Sequence, residues 1–121
     1  MRPIAKLLPD AYFFPDAKAE RVFRLNNRYY ETVADGSKRS SVRWDESVPL
    51  GPAIFYFEDG ERAPLRGEIL AVNRYNLKDL TPELLRLSEG GSVEEYVDDL
   101  RKHYPGMPDE AEVDVVDFVV R

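Results

Sequence analysis

The last apolar run of the chain, Val113 to Val120, constrains the fold more than any other segment. It is rich in β-branched residues and contains few turn-forming residues, a composition typical of a β-strand. Because so apolar a strand needs cover, we expect it to pair on both sides or to close a barrel. The chain's 121 residues, 43% of them hydrophobic, suffice for one compact domain with a core but not for a second.

The rest of the chain predicts short strands alternating with short helices. Asp59-Gly60 is a hairpin signal between two apolar runs, and Ser92 with Glu95 forms a capping box that begins an amphipathic helix. Strands are predicted at 21–25, 40–44, 53–57, 68–72 and 113–120, and helices at about 27–35, 81–87 and 92–103. This pattern favours strands around a small barrel with helices covering one end.

Residues 1–20 differ from the body of the chain. Pro3, Pro9 and Pro15 are interspersed among short apolar pieces, which predicts an extended arm packed against a single domain spanning residues 21–121. With no run of about 18 apolar residues and no basic-then-apolar leader, we expect neither a membrane partner nor a secretory signal, and therefore a cytoplasmic protein.

The composition excludes several kinds of chemistry. The chain has no cysteine and one histidine, so thiolate zinc sites, cysteine nucleophiles and multi-histidine metal centres are impossible. We therefore expect no metal and no cofactor, with any catalysis carried by Ser, Thr, Lys, Tyr or carboxylates. The net charge of −6 favours a small substrate over long nucleic acid held through its phosphates.

The segment from Gly36 to Arg43 combines residue types that can cleave an amide. Lys38 could act as a base, Ser41 as a nucleophile, and the distant Glu89 as the carboxylate that orients them. On a strand beginning at Ser40, Ser41 and Arg43 share one face while the residue between them points into the core. Since Lys38 and Ser41 would lie on opposite faces of a continuous strand, a catalytic pair requires the loop to curl back at Lys38.

The order of elements and the motif Gly-x-Lys-x-x-x-x-Arg resemble the ASCH family, and in particular its small bacterial N(4)-acetylcytidine amidohydrolases. The likeness covers about residues 21–120 and implies an α+β fold, a PUA-like small mixed β-barrel with two or three short helices. In the family pattern a glutamate stands where this chain has Ser41, whereas the amidohydrolase branch has a nucleophilic threonine there, three residues after a catalytic lysine. Counting back from Tyr104-Pro105-Gly106, the branch's catalytic glutamate falls on Glu89.

The resemblance implies that Lys38 takes the proton of Ser41 as it attacks the acetyl carbonyl, with Glu89 shuttling a proton or positioning water. For this the pKa of Lys38 must be lowered towards about 7 to 8 by burial or by neighbouring charge. Four residues are predicted to bind the nucleoside: Arg43, Arg39, Trp44 and Tyr29. The two arginines supply charge and the two aromatic residues stacking surfaces.

Simpler interpretations remain open. Lys, Ser and Arg in a polar loop are often only solvated, and aromatic residues such as Trp44 and Tyr29 more often form a core or a barrel lid than a stacking surface. A non-catalytic PUA-like module that binds RNA, or a ribonuclease, would use the same cleft and would explain the arginines clustered between residues 21 and 43. The oligomeric state cannot be predicted from the sequence.

Overall fold

The computed structural model describes residues 21–58, 60–87 and 90–121, which form five strands and two α-helices. The strands are β1 (Arg21–Asn26), β2 (Ser40–Arg43), β3 (Gly51–Glu58), β4 (Leu65–Asn76) and β5 (Glu112–Val120). The helices are α1 (Tyr30–Ala34) and α2 (Val93–His103), and short 3-10 turns occupy Asn27–Tyr29 and Leu77–Asp79. No helix in the described ranges is long and apolar enough to cross a membrane.

All five strands belong to one mixed sheet, in the order β1-β3-β4-β5-β2. β1 and β3 are parallel, whereas the other three pairs are antiparallel. β5 lies between β4 and β2, which confirms that the last apolar strand is paired on both sides. Because β1 and β2 are the two edges, the curved sheet is a half-barrel that leaves a seam between them.

The core consists of two groups of buried side chains. One lies under β1 and β3 and is built around Phe23, Phe55 and Phe118, whose ring centroids are 5.0–5.8 Å apart. The other lies under β2 and β5 and includes Val42 and Leu100 of α2. The two groups fix the positions of both edge strands, and therefore the width of the seam.

The chain between β1 and β2 is shaped by local capping. The side chain of Asn26 accepts a hydrogen bond from the backbone N–H of Arg28 at 2.9 Å, as a helix cap does. α1 ends before Gly36, whose φ of 86° is one that glycine adopts readily. The backbone N–H of Lys38 then donates to the Thr32 carbonyl at 2.8 Å, so the loop folds back against α1.

Two local predictions need correction. Instead of a helix at 81–87, the chain makes only hydrogen-bonded turns, although Thr81 Oγ accepts from the Leu84 N–H at 3.2 Å as a cap would. Arg86 has a φ of 53°, which stops the helix after one turn. The predicted β3–β4 hairpin is present, but its last paired residues are Phe55 and Leu65, so the connection is longer than a two-residue Asp-Gly turn.

Three predicted features lie outside the described residues. They are the arm at residues 1–20, the residue Asp59 of the hairpin signal, and Glu89. The assignment of residues 21–121 to a single domain and of 1–20 to an arm therefore stays a prediction.

Gly67 tests how tightly β4 packs. A Cβ at this position would lie 2.1 Å from the Val119 carbonyl oxygen and 2.5 Å from the Phe55 ring. Gly67→Ala should therefore lower the free energy of unfolding by about 1–3 kcal/mol, measured by urea denaturation. Gly106→Ala is the matched control, because a Cβ there meets nothing within 4 Å; equal stability of the two variants would contradict the packing described for β4.

Candidate functional site

A cavity of about 780 Å³ opens at the seam between β1 and β2 and is flanked by α2. Its volume falls in the range of about 300–1,000 Å³ typical of small-molecule sites. Ser41, Val42 and Arg43 of β2 line one side, and all six residues of β1 line the other. The remaining lining comes from the turn after β1, the loop between β2 and β3, the end of β3, and α2 with the residue that follows it: Arg28, Tyr29, Glu46, Ser47, Val48, Pro49, Glu58, Tyr96, Asp99, Leu100, His103 and Tyr104.

Arg43 joins the two edges of the sheet. Its Nη2 donates to the backbone carbonyl of Arg24 in β1 at 2.5 Å, and its Cζ lies 3.9 Å from the centroid of the Phe23 ring. Its Nη1 lies 3.6 Å from a carboxylate oxygen of Glu46. With only 12% of its side chain exposed, Arg43 spans the seam as a fixed, largely buried cation.

Ser41 lies on the same face of β2 as Arg43, as predicted. Arg43 Nε donates a hydrogen bond to Ser41 Oγ at 3.3 Å, while Val42 between them is buried. A charged donor aimed at the serine oxygen stabilises negative charge on that oxygen. It also leaves the serine's own O–H free to donate, and no acceptor for it is found among the described residues.

Lys38 carries the most strongly perturbed basic group of the site. Burial is the largest cause, followed by the positive charges of Arg43 and Arg28, and together they lower the pKa of Lys38 from 10.5 to about 8. The Lys38 Nζ lies 4.5 Å from the centroid of the Tyr29 ring. This pKa lies at the upper end of the range expected for a lysine acting as a general base.

The structure does not join Lys38 directly to Ser41. No hydrogen bond connects the two side chains, and within the described ranges Lys38 Nζ has no hydrogen-bond or ion-pair partner. Lys38 is also absent from the cavity lining. It contacts the ring of Tyr29, which does line the cavity. The loop does fold back, but in this state it leaves the lysine beside the tyrosine.

The predicted substrate-binding residues separate into two groups. Arg43 and Tyr29 line the cavity, whereas Arg39 and Trp44 do not. The side chain of Arg39 is exposed, and the neighbouring charges that lower the pKa of Lys38 are those of Arg43 and Arg28. Trp44 packs against the core under β2, with its ring 5.9 Å from that of Tyr104, so it supports the site from outside.

Three residues outside the motif line the cavity and were not predicted as part of the site: Glu46, Tyr96 and Tyr104. Tyr104 donates to Glu46 at 2.5 Å, and burial with this contact raises the pKa of Tyr104 to about 12. Burial also raises the pKa of Tyr96, which lines the cavity from α2. The apolar face of α2 was visible in the sequence, but nothing there indicated that Tyr96 within the helix and Tyr104 just after it face a cavity.

The described residues form no cluster of metal-ligating side chains. Over the ranges that the structure describes, no three His, Asp or Glu side chains come together in a way that could hold a metal ion. The cavity lining offers hydroxyls, carboxylates, phenols, an imidazole and guanidinium groups, with the amine of Lys38 beside it.

The lowered pKa of Lys38 predicts how stability changes with pH. The unfolded chain holds the lysine proton up to about pH 10.5, whereas the folded protein releases it near pH 8. Between these values the unfolded state binds more protons, so stability rises with pH. Relative to Lys38→Met, the wild type should gain on the order of 2–3 kcal/mol between pH 7 and 10.5, with no change in the difference below pH 7.

Urea denaturation of both proteins across this pH range measures the effect. Lys78→Met is the matched control, because Lys78 is exposed and lies outside the cavity. A difference between wild type and Lys38→Met that does not depend on pH would show that the amine is not perturbed.

Solved structures share this fold. The sequence matches no family model and no curated protein. An ASCH domain from Lactobacillus crispatus is 14% identical, with a TM-score of 0.62 over 99% of this chain and 95% of that one. Protein EF3133 from Enterococcus faecalis is 15% identical, with a TM-score of 0.65 over 91% and 88% of the two chains. A variant of ZmASCH from Zymomonas mobilis is 16% identical, with a TM-score of 0.58 over 85% and 68%. The chain therefore has the α+β, PUA-like fold of ASCH-domain structures, as predicted.

Proposed function

We propose that this protein is an ASCH-domain amidohydrolase that removes the acetyl group from N(4)-acetylcytidine or a related acylated nucleoside. The observation that carries the proposal is the hydrogen bond from Arg43 Nε to Ser41 Oγ, made at the wall of a nucleoside-sized cavity. A lysine with a pKa of about 8 stands beside that cavity. A hydroxyl, a neutralisable amine and a fixed cation are what acyl transfer through serine requires.

Ser41 acts as the nucleophile in this proposal. Its oxygen is held by Arg43, and β2 fixes its direction because Val42 is anchored in the core. As Oγ attacks the acetyl carbonyl, negative charge develops on the carbonyl oxygen. The buried guanidinium of Arg43 is the nearest fixed positive charge that can stabilise it.

Lys38 acts as the base. With a pKa of about 8, about a tenth of the lysine is neutral at pH 7, against less than about 0.1% for an ordinary lysine. The amine must approach Ser41 when substrate binds, since the two do not touch in the free protein. Catalytic hydrogen bonds are often long before substrate arrives, and Lys38 has no ion pair among the described residues to break first.

The reaction balances as an ordinary acyl transfer. The Oγ–carbonyl bond forms, the bond to the exocyclic nitrogen breaks, and the proton taken by Lys38 passes to that nitrogen, which releases cytidine. Water then attacks the acetyl-serine and releases acetate. Glu89, which the resemblance puts in the role of positioning this water, lies outside the described residues.

Two tyrosines that line the cavity recognise the base in this proposal. Tyr29 lies in the turn after β1 and Tyr96 in α2. Stacking of a base on an aromatic ring contributes about 1–3 kcal/mol to binding. In this proposal Arg43 serves the acetyl group while the tyrosines hold the pyrimidine.

A non-catalytic RNA-binding module is the second candidate, and one observation favours it. Arg21, Arg24 and Arg28 follow one another along and just beyond β1, and all three line the cavity. Such a row of positive charges could bind the phosphates of a nucleic acid, in an RNA-binding protein or in a ribonuclease. Tight binding of unmodified RNA at 150 mM salt, without cytidine release from the acetylated nucleoside, would favour this candidate.

Substitutions at Ser41 and Lys38 test the hydrolase directly. Ser41→Ala and Lys38→Ala should each reduce cytidine release from N(4)-acetylcytidine by about 10³-fold or more, because each removes a member of one nucleophile–base unit. The double variant should be scarcely slower than either single variant. Ser41→Thr should stay active, since it keeps the hydroxyl.

Ser37→Ala is the matched control, because this serine precedes Lys38 in the loop before β2 but lies outside the cavity lining; it should keep wild-type turnover. Circular dichroism establishes that each variant is folded. Full activity in Ser41→Ala, or losses that multiply in the double variant, would contradict the proposed roles.

A further inference from the structure

Most arginines in the described part of this acidic protein are paired with carboxylates. Seven in the described ranges lie within 4.0 Å of one: Arg24, Arg43, Arg62, Arg74, Arg86, Arg101 and Arg121. Arg21, Arg28 and Arg39 have no such carboxylate there. Since acidic residues outnumber basic ones by 23 to 17, an unpaired arginine is the exception, and two of these three line the cavity.

Arg28 is exposed but held in place. Its Nη2 donates to the Tyr29 hydroxyl at 2.7 Å, and its Cζ lies 4.8 Å from the centroid of the Tyr29 ring. The backbone N–H of Arg28 is also fixed, by the cap from Asn26. A guanidinium anchored through one nitrogen keeps its other N–H groups available in a defined direction.

Two further cations lie near Arg28, one of them, Arg43, in the cavity wall and the other, Lys38, behind the ring of Tyr29. Lys38 Nζ lies over the same tyrosine ring, and the charges of both Arg28 and Arg43 act on it. Of these three cations only Arg43 has a carboxylate within 4.0 Å, that of Glu46. Arg28 and Lys38 have none in the described ranges, so an anion bound near them would relieve their mutual repulsion.

We infer that Arg28, anchored on Tyr29, binds the phosphate of a nucleotide whose base occupies the cavity, so that the substrate is an acylated cytidine nucleotide and not the free nucleoside. This inference rests on the proposed function for the identity of the base. Guanidinium and phosphate form paired, charge-assisted hydrogen bonds, which suit an arginine with free N–H groups at a cavity mouth.

A bound phosphate is compatible with Lys38 as the base. The phosphate would offset the repulsion from Arg28, which is the smallest of the three causes that lower the pKa of Lys38. Burial and Arg43, the two larger causes, are unaffected. The largest cause of the lowered pKa of Lys38, its burial, therefore remains when a nucleotide is bound.

Calorimetric titration of the full chain tests the inference without depending on turnover. The probes are cytidine, cytidine 5′-monophosphate, cytidine 3′-monophosphate, inorganic phosphate and a short single-stranded oligonucleotide. At least one monophosphate should bind about tenfold or more tightly than cytidine, and Arg28→Gln should reduce that ratio to near one. Cytidine is titrated into both proteins, because Arg28 contacts the Tyr29 ring proposed to stack the base; dividing by the cytidine affinity of each protein isolates the contribution of the phosphate.

Arg62→Gln is the matched control, because Arg62 also stacks on a tyrosine, Tyr30 at 4.5 Å, but lies outside the cavity lining. It should keep the wild-type preference. An oligonucleotide that binds far more tightly than either monophosphate would identify the source of the phosphate as RNA.

The outcomes separate the two proposals. Equal affinity of the wild type for cytidine and both monophosphates, or an unchanged ratio in Arg28→Gln, would overturn the phosphate site and leave the amidohydrolase standing. Binding of inorganic phosphate as tight as that of the nucleotides, lost in Arg28→Gln and with no binding of cytidine, would keep an anion site at Arg28 but overturn its assignment to a nucleotide.

Discussion

The contact between Arg43 and the backbone of Arg24 is the interaction on which this fold's cavity depends. It connects β1 and β2, the two edge strands, which do not pair with each other. The connection is a single hydrogen bond of 2.5 Å from Arg43 Nη2 to the Arg24 carbonyl oxygen. A guanidinium that is mostly buried needs partners on all sides, and here they are a carbonyl, a carboxylate, a hydroxyl and a phenyl ring. Because burying a charge without such partners is costly, the seam is held at a fixed width where Arg43 crosses it.

The chemical character of the cavity follows from the same buried cation. Arg43 polarises Ser41 through its Nε, lowers the pKa of Lys38 by its charge, and is held by Glu46, which Tyr104 holds in turn. A single residue therefore acts on both the serine that we propose as nucleophile and the lysine that we propose as base. The arrangement uses only serine, lysine and arginine, in a chain that has no cysteine and a single histidine.

Local patterns in the sequence were enough to predict most of the architecture. The apolar run ending at Val120, the turn signals and the capping box at Ser92 each predicted an element that is present. The predicted helix after Thr81 failed because Arg86 adopts a left-handed conformation there, which no local signal revealed. The shared face of Ser41 and Arg43 followed from strand alternation, and the need for a lowered Lys38 pKa followed from chemistry.

What could not be predicted was which distant elements meet. Arg28, Glu46, Tyr96 and Tyr104 reach the cavity only through the pairing of strands far apart in the sequence and the placement of α2.

The most direct measurement is to identify the acyl-enzyme during turnover. Protein mixed with N(4)-acetylcytidine, quenched in acid over a time course and analysed by mass spectrometry should carry one acetyl group on the peptide that contains Ser41. That group should appear before free acetate and be absent from Ser41→Ala. An acetyl group found on Lys38 instead, or cytidine released while Ser41 stays unmodified at every time point, would contradict a serine nucleophile at this seam.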